Sequence, residues 1–371
     1  MKVAIIHDWL TGMRGGEKCL EAFCELFPGA DIFTLVYKHG SLSKTIENLK
    51  IKTSFLQNFP DVENKYRYYL PFMPAAIKSF DLSGYDLIIS SSHCVAKGVS
   101  VPKNSMHICY CHTPMRYVWD MYGQYFDNAK ITTKTAMKIL RPYLQKWDIK
   151  TSKNVNYFIS NSEFVSERIK KYYNREAIVI NPPVDTEFFM PSTLNFQPST
   201  LNYYLVVSAF APYKKVDLAV KAFNVLGWKL KIIGSGQDEK KLKGIALKNI
   251  EFLGWLDNEK LRDYYRHCKA LVFPGEEDFG IVPVEAQACG APVIAYGKGG
   301  VKETVIHGKT GIFFDEQSVA SLISALRVFE TKKFDKNEIR KNAERFSKDR
   351  FKADIKNFIE KKVKIGKIKR L

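Results

Sequence analysis

Residues 270–285 read Ala270-Leu-Val-Phe-Pro-Gly-Glu-Glu-Asp-Phe-Gly-Ile-Val-Pro-Val-Glu285. The run from Ala270 to Phe273 has the apolar density of a buried strand and stops at Pro274. Helical spacing resumes at Val282, with Pro283 suited to a first helical turn. Glu277 then falls in the loop at the strand's carboxyl end, and Glu285 about one turn into the helix. Between them, the backbone N–H groups of Phe279, Gly280, Ile281 and Val282 lie where a helix start leaves donors unused, which is an anion site. Two carboxylates flanking a phosphate cradle suit a ligand that carries both hydroxyls and phosphate, as a nucleotide sugar does. An exposed acidic loop followed by an ordinary helix glutamate would read the same way in isolation.

Outward from this segment, short apolar runs alternate with helical patterns along the whole chain, which predicts doubly wound α/β architecture. Strands are expected at Val3–His7, Ile32–Val36, Leu87–Ser91, Ile108–Cys111 and Tyr157–Ser160, with helices near 16–26, 65–79, 134–152 and 162–172. The pattern breaks at Asn181-Pro-Pro-Val-Asp-Thr, and a near-duplicate follows, Pro191-Ser-Thr-Leu-Asn-Phe196 and Pro198-Ser-Thr-Leu-Asn-Tyr203. This stretch reads as a surface loop or linker. A second series follows, with strands at Tyr204–Ser208, Leu230–Ile233, Leu271–Phe273, Val293–Ala295 and Ile312–Phe314 and helices at 215–226 and 238–247. The expected division is a Rossmann-like domain over 1–185, a linker over 186–203, a second Rossmann-like domain over 204–345 and a basic amphipathic helix over 346–371. Two such parallel-sheet domains place a ligand in the cleft between the carboxyl ends of their sheets.

The chain carries a formal charge of +18 over 371 residues. Residues 332–371 hold 16 Lys+Arg against 6 Asp+Glu, so the tail supplies more than half of that excess. A basic tail fits solvated helix faces, an anionic membrane surface or a nucleic acid. Asn64-Lys-Tyr-Arg-Tyr-Tyr-Leu-Pro-Phe-Met-Pro, which interleaves aromatics with bases, suits a membrane interface. No recognition motif accompanies the charge, so nucleic acid is disfavoured. The seven cysteines lie in apolar segments without a Cys-x-x-Cys pair, and the opening residues turn polar too soon for a signal peptide. The expected location is cytoplasmic, at most peripheral to a membrane.

Several strand-to-helix junctions carry candidate chemistry. Lys214 and Lys215 follow a strand, where an ammonium can meet a phosphate, although a solvated Lys-Lys pair is commoner. Gly15 and Gly16 open the first helix and allow close backbone approach. Gly234, in Gly-Ser-Gly, is a fragment of a phosphate turn or simply a turn. Gly299-Gly300-Val-Lys-Glu303 forms another junction. His112 ends an apolar run in Tyr110-Cys-His-Thr-Pro-Met-Arg-Tyr117, with Arg116 and Tyr117 beyond it, and Asp8 and Arg14 follow the first strand. No Asp-x-Asp motif and no His/Cys cluster has metal-ligand spacing, so neither a metal nor a cofactor is expected.

Taken together these segments resemble the family-four retaining glycosyltransferases of the GT-B fold, over essentially the whole chain. Those of bacterial lipopolysaccharide and exopolysaccharide assembly, mannosyltransferases among them, share segments like His7-Asp-Trp-Leu-Thr-Gly-Met-Arg-Gly-Gly-Glu17. The resemblance implies metal-independent transfer of a hexose, mannose from GDP-mannose, to a lipid-linked or growing glycan acceptor. It implies that Glu277 meets donor-sugar hydroxyls and Glu285 the ribose. The N–H groups from Phe279 to Val282, with Lys214, would hold the diphosphate, and His112 would stand beside the anomeric carbon. Gly15, Gly16, Lys215 and Gly234 would complete the donor site, and Asp8, Arg14, Arg116 and Tyr117 the acceptor side. The family has an arginine five residues before the lysine. Here that position is Ala209, which leaves the leaving group one cation short unless Lys215 or Arg14 supplies it. The competing readings are a UDP-sugar donor, a nucleotide-sugar epimerase, and a non-enzymatic basic binding protein.

Overall fold

A computed structural model describes residues 1–126, 130–192 and 202–368. Most of the near-duplicate Pro/Ser/Thr stretch, 193–201, lies outside the described residues. The chain forms two compact units, one of Met1–Pro183 with Asp349–Leu371, the other of Val184–Lys348.

The first unit is built on a seven-stranded parallel sheet. Its strands are β1 (Val3–His7), β2 (Asp31–Thr34), β3 (Lys50–Thr53), β4 (Leu87–Ser92), β5 (Met106–Cys111), β6 (Tyr157–Ser160) and β7 (Ala177–Val179), in the order β3-β2-β1-β4-β5-β6-β7. Side chains alternate across it. Ala4, Ile6 and Ile88 face a layer made by residues 55–78 and the helix Ile131–Ser152, while Val3, Ile5 and Ile89 face the helix Gly15–Leu26 and the tail helix. The order reverses direction between β1 and β4, so His7, the last residue of β1, pairs with Ser91 near the end of β4 at the switch point, where such sheets open a crevice.

The tail helix, Lys348–Ile368, belongs to this unit. Its expected apolar face is used inside the protein. Phe351 packs edge-on against Phe23 and Tyr110, each with ring centroids 5.6 Å apart, and Ile355, Phe358 and Ile359 join the same core. Phe346 does not share that face, because it precedes the helix and packs on Phe279 in the second unit. The helix expected over 65–79 is broken in two. Residues Tyr66–Phe72 wind as 3₁₀ helix around Pro71, and α-helix resumes only at Met73–Lys78, as proline in this stretch requires.

The second unit has a six-stranded parallel sheet of β8 (Tyr204–Val207), β9 (Leu230–Ile233), β10 (Ile250–Gly254), β11 (Leu271–Phe273), β12 (Val293–Tyr296) and β13 (Gly311–Phe314). The order is β10-β9-β8-β11-β12-β13, with its switch point between β8 and β11. Both faces are covered, Val206, Val272 and Ile294 looking one way and Leu205, Leu271 and Val293 the other, which explains near-continuous apolar runs in the central strands.

Candidate functional site

In the second unit, the two strands flanking the switch point deliver the residues expected from the sequence. Lys214 ends a short 3₁₀ turn after β8, and Glu277 lies in the loop after β11. Their side chains form an ion pair, both largely but not fully withdrawn from solvent. Gly275 lets the β11 loop approach this close, because a Cβ there would lie 3.1 Å from the Lys214 backbone. The Gly299-Gly300 junction fixes the far side. Gly300 N–H donates to the Glu277 carbonyl at 2.9 Å, and a Cβ on Gly300 would lie 2.2 Å from the Asp278 carbonyl oxygen. Gly299 takes φ +77°, open to glycine without strain.

Gly280 caps the helix Ile281–Ala288 at φ +91°, so the helix starts one residue before Val282, the expected start. Ile281 and Val282 are half-buried in its first turn, whereas the Phe279 ring is buried against Phe346. Pro283 sits third in the helix, still within the turn whose N–H groups have no helical acceptor. Glu285 is 3% exposed, and Tyr265 donates its hydroxyl to Glu285 Oε2 at 3.1 Å. That carboxylate is therefore held from within the unit. Burial pushes the Tyr265 phenol well above its usual pKa, and the Glu285 charge adds to the effect. Lys215 stands at φ +53° as the cap of the helix Val216–Leu226. Gly234 turns toward its own neighbours, since a Cβ would lie 1.9 Å from the Ser208 carbonyl oxygen. The close backbone approach just past the ends of the parallel strands β8 and β9 is reason enough for that glycine.

The first unit gathers a second cluster. His7 ends β1, Ser91 lies near the end of β4, and His112 follows β5. Ser91 Oγ lies 3.0 Å from His7 Nδ1 and 2.8 Å from His112 Nε2, which joins the two imidazoles. Gly16 packs against both rings, and a Cβ there would lie 3.5 Å from His7 Cε1 and 3.8 Å from His112 Nε2. Gly15 begins the same helix, and the backbone N–H of exposed Arg14 donates to Glu17 Oε2 at 3.1 Å. Burial works against the Glu17 charge, yet the adjacent His7 outweighs it and holds that carboxyl below its usual pKa. Burial first, and then the charges of His93 and His7, push the His112 pKa well below the usual imidazole value.

Two residues expected on the acceptor side make structural contacts. Asp8 is fully buried, and its carboxylate accepts the backbone N–H groups of His93, Cys94, Val95 and Ala96 at 2.6–3.0 Å. His93 Nδ1 adds a further contact at 3.1 Å. Asp8 thus ties the turn after β4 to β1 and has little capacity left for a ligand. Tyr117 packs its ring on the core, and its hydroxyl meets Cys94 Sγ at 2.6 Å. Arg116 is half-buried near His93, whose pKa is lowered mainly by burial and slightly by the Arg116 charge. Ser91, His93 and Asn161, which donates to the His112 carbonyl at 3.0 Å, were not singled out by sequence. A serine in an apolar strand, as in Ile89-Ser90-Ser91-Ser92, was the available signal. Among the described residues no group of three or more His, Cys, Asp or Glu side chains is placed to share a metal ion.

Both halves match models of one enzyme class. Residues 15–188 match the model "Glycosyltransferase Family 4", and residues 194–346 match "Glycosyl transferases group 1". The chain belongs to the family-four, group 1 glycosyltransferases. An uncharacterized glycosyltransferase of Methanocaldococcus jannaschii is 32% identical over 170 residues, 44% of this chain and 47% of that protein. The alpha-1,3/1,6-mannosyltransferase ALG2 of Dictyostelium discoideum is 25% identical over 256 residues, 56% of this chain and 58% of that one. The chain thus spans about half the length of the curated relatives it matches. Among solved structures, Anabaena HepE in complex with UDP-glucose superposes with a TM-score of 0.69 at 15% identity, covering 97% of this glycosyltransferase and 100% of HepE. The fold is GT-B.

Proposed function

We propose that this glycosyltransferase moves a hexose from a nucleotide diphosphate donor to a lipid-linked or growing glycan acceptor with retention of configuration. One observation carries the reading, the Lys214–Glu277 pair at the carboxyl ends of β8 and β11 beside the Gly280-capped helix. Breaking the sugar–diphosphate bond builds positive charge on the ring and negative charge on the departing diphosphate. A fixed ammonium and helix-start N–H dipoles stabilise that anion without reorganising. Glu277, released by the phosphate from part of its pairing with Lys214, then accepts from sugar hydroxyls. The chemistry asks for no metal and no resident cofactor, because the cations are the protein's own.

Mannose from GDP-mannose is the donor we infer, supported by the likeness to a mannosyltransferase. A UDP-sugar is the second reading, supported by the likeness to a structure holding UDP-glucose. Thermal-shift titration with GDP-mannose, UDP-glucose and ADP-glucose tests both. A donor at 100 times its Kd stabilises by about 2.7 kcal/mol, and radiolabel transfer to a lipid acceptor then tests the activity. Absence of stabilisation by every nucleotide sugar would overturn the assignment, and isomerised donor without acceptor would mark an epimerase.

We further infer that the first unit rests on an anionic membrane from the cytoplasmic side. No helix among the described residues is long and apolar enough to cross one. The helix Ile131–Ser152 leaves Ile131 and Ile139 each 75% exposed and Tyr143 53% exposed. Lysines 130, 134, 138, 146, 150 and 153 surround them, and the helix's one acid, Asp148, is buried against Lys97. Phe55, Tyr68 and Phe72 are exposed on the layer that covers the same face of the sheet. Apolar side chains among cations suit the headgroup region. Co-sedimentation with phosphatidylglycerol vesicles, lost in Ile139→Glu/Tyr143→Glu and absent with phosphatidylcholine, is the expected result. Equal binding by that variant would refute it.

A further inference from the structure

The first unit holds a chain of polar groups that reaches His112 from a carboxylate in the first turn of the helix Gly15–Leu26. It runs from Glu17 Oε1, 3.7 Å from His7 Nε2, through His7 Nδ1 and Ser91 Oγ to His112 Nε2. His7 and Ser91 are fully buried and Glu17 nearly so. Ser91 has one proton, so it donates to one ring and accepts from the other. Only two arrangements of the chain exist while both rings are neutral.

Glu17 selects between them. His7 Nε2 is buried without a hydrogen-bond partner, and the Glu17 carboxylate is the charge that it pairs with. An N–H facing that charge is attracted, whereas a nitrogen lone pair is repelled. With the proton on His7 Nε2, Nδ1 becomes an acceptor and Ser91 donates to it. The Ser91 oxygen must then accept from His112, whose proton is thereby fixed on Nε2. The Asp8 carboxylate does not compete, because the backbone N–H groups of residues 93–96 and the His93 ring occupy its oxygens. Among the other titratable neighbours, the three imidazole centroids stay 6.0–6.5 Å apart and Arg116 acts on His93 only through its charge, while Tyr110, edge-on to His112 at 5.1 Å, gives its hydroxyl to the Ile180 carbonyl, and burial keeps that phenol and the Cys19 thiol protonated.

We propose that Glu17 is a positioning residue that sets the tautomer of His112 through His7 and Ser91, leaving His112 Nδ1 an obligatory acceptor for a hydroxyl of the bound sugar or acceptor glycan. The identity of that hydroxyl rests on the function proposed above, whereas the tautomer does not. Such a relay makes His112 Nδ1 a hydrogen-bond acceptor and excludes it as a donor to a ligand.

Long-range ¹⁵N–¹H spectra of the full chain labelled at histidine test this without any donor present. The resonances are assigned from His7→Gln and His112→Gln spectra. In the unsubstituted protein both rings should show a protonated, pyrrole-type Nε2 and an imine-type Nδ1. In Glu17→Gln the side-chain amide can donate to His7 Nε2 and reverse the chain, so the imine-type Nδ1 resonance of His112 should be lost in favour of a pyrrole-type one. Adding Ser91→Ala should remove this response. A His112 protonated at Nδ1 in the unsubstituted protein overturns the proposal, as does an unchanged His112 ring in folded Glu17→Gln. If Glu17→Gln does not fold, the His7 ring decides, with protonation at Nδ1 overturning the proposal and at Nε2 supporting it. Because the spectra are read without transfer, failure of the glycosyltransferase reading leaves a separate result.

Discussion

Lys214 and Glu277 are 63 residues apart in sequence and meet as an ion pair at the carboxyl ends of two adjacent parallel strands. The pair keeps two opposite charges at one place until a ligand with both phosphate and hydroxyls separates their duties. Lys214→Ala should lower turnover by roughly 10²–10³-fold, the usual cost of about 3–4 kcal/mol for one lost transition-state contact. Stability should change little, since a partly exposed pair contributes no more than about 1 kcal/mol. Steady-state rates together with a melting curve check this, and near-normal transfer by the folded variant would remove Lys214 from the site.

Lys215 tests the vacancy left by Ala209 at the family's arginine position. The residue adopts φ +53°, a conformation that costs a side-chain-bearing residue roughly 1–2 kcal/mol. Lys215→Gly should therefore leave stability unchanged or slightly raised, the relief being partly offset by glycine's greater unfolded freedom. If its ammonium supplements Lys214, donor affinity should fall by about tenfold, as a second ligand-facing cation would produce. Unchanged affinity would show that Lys215 is a helix cap alone.

Gly300 should be intolerant of any side chain. A Cβ would lie 2.2 Å from the Asp278 carbonyl oxygen and 2.5 Å from the Phe279 Cα, both backbone atoms that cannot rotate away. Gly300→Ala should cost about 1–3 kcal/mol, as overpacking does, and should weaken donor binding more than Gly29→Ala, which has open space around it and no positive φ. Differential scanning calorimetry and donor titration of the two variants give the comparison.

Central strands were legible because both faces are buried. β1 and β6 match their expected bounds, Val3–His7 and Tyr157–Ser160, residue for residue. β3, Lys-Ile-Lys-Thr, and β7, Ala-Ile-Val, left no comparable signal, since they are short edge strands with exposed positions. Gly299 and Gly300 were legible because backbone geometry there demands glycine, and Lys214 and Glu277 because charged side chains stand out where apolar strands end. The Asp8 and Ser91 contacts were not. They join positions more than 80 residues apart or rings on different strands, and a single sequence does not encode which buried polar groups meet.

Asp8 distinguishes a ligand contact from a scaffold. Its two oxygens accept four backbone N–H groups from a turn that has no other helical ladder to satisfy them. Asp8→Asn keeps the shape but turns an NH₂ group toward two of those donors and removes the charge. A loss of at least about 3 kcal/mol is expected, because each hydrogen bond to a charged group contributes about 1.5–3 kcal/mol. Denaturant titration measures it. A stable variant with only a raised acceptor KM would return Asp8 to the acceptor side.

Acid should destabilise the first unit through its buried histidines. His107 on β5 is fully buried with Nε2 2.8 Å from Ser90 Oγ, and burial pulls its pKa from 6.5 down to about 4. Between those values the unfolded chain binds a proton that the folded protein refuses. The stabilisation is thus complete above the unfolded pKa of 6.5 and is lost as pH falls through the folded value near 4. The full loss from this one ring is roughly 3 kcal/mol at about 1.4 kcal/mol per pKa unit. His93 and His112, whose pKa values are also lowered by burial, steepen the same limb. His107→Gln, which has no proton to gain, should flatten the dependence of unfolding free energy on pH between pH 6.5 and 4 by that amount. Urea titrations at half-unit pH intervals measure the difference, and parallel curves for the two proteins would place the acid lability elsewhere.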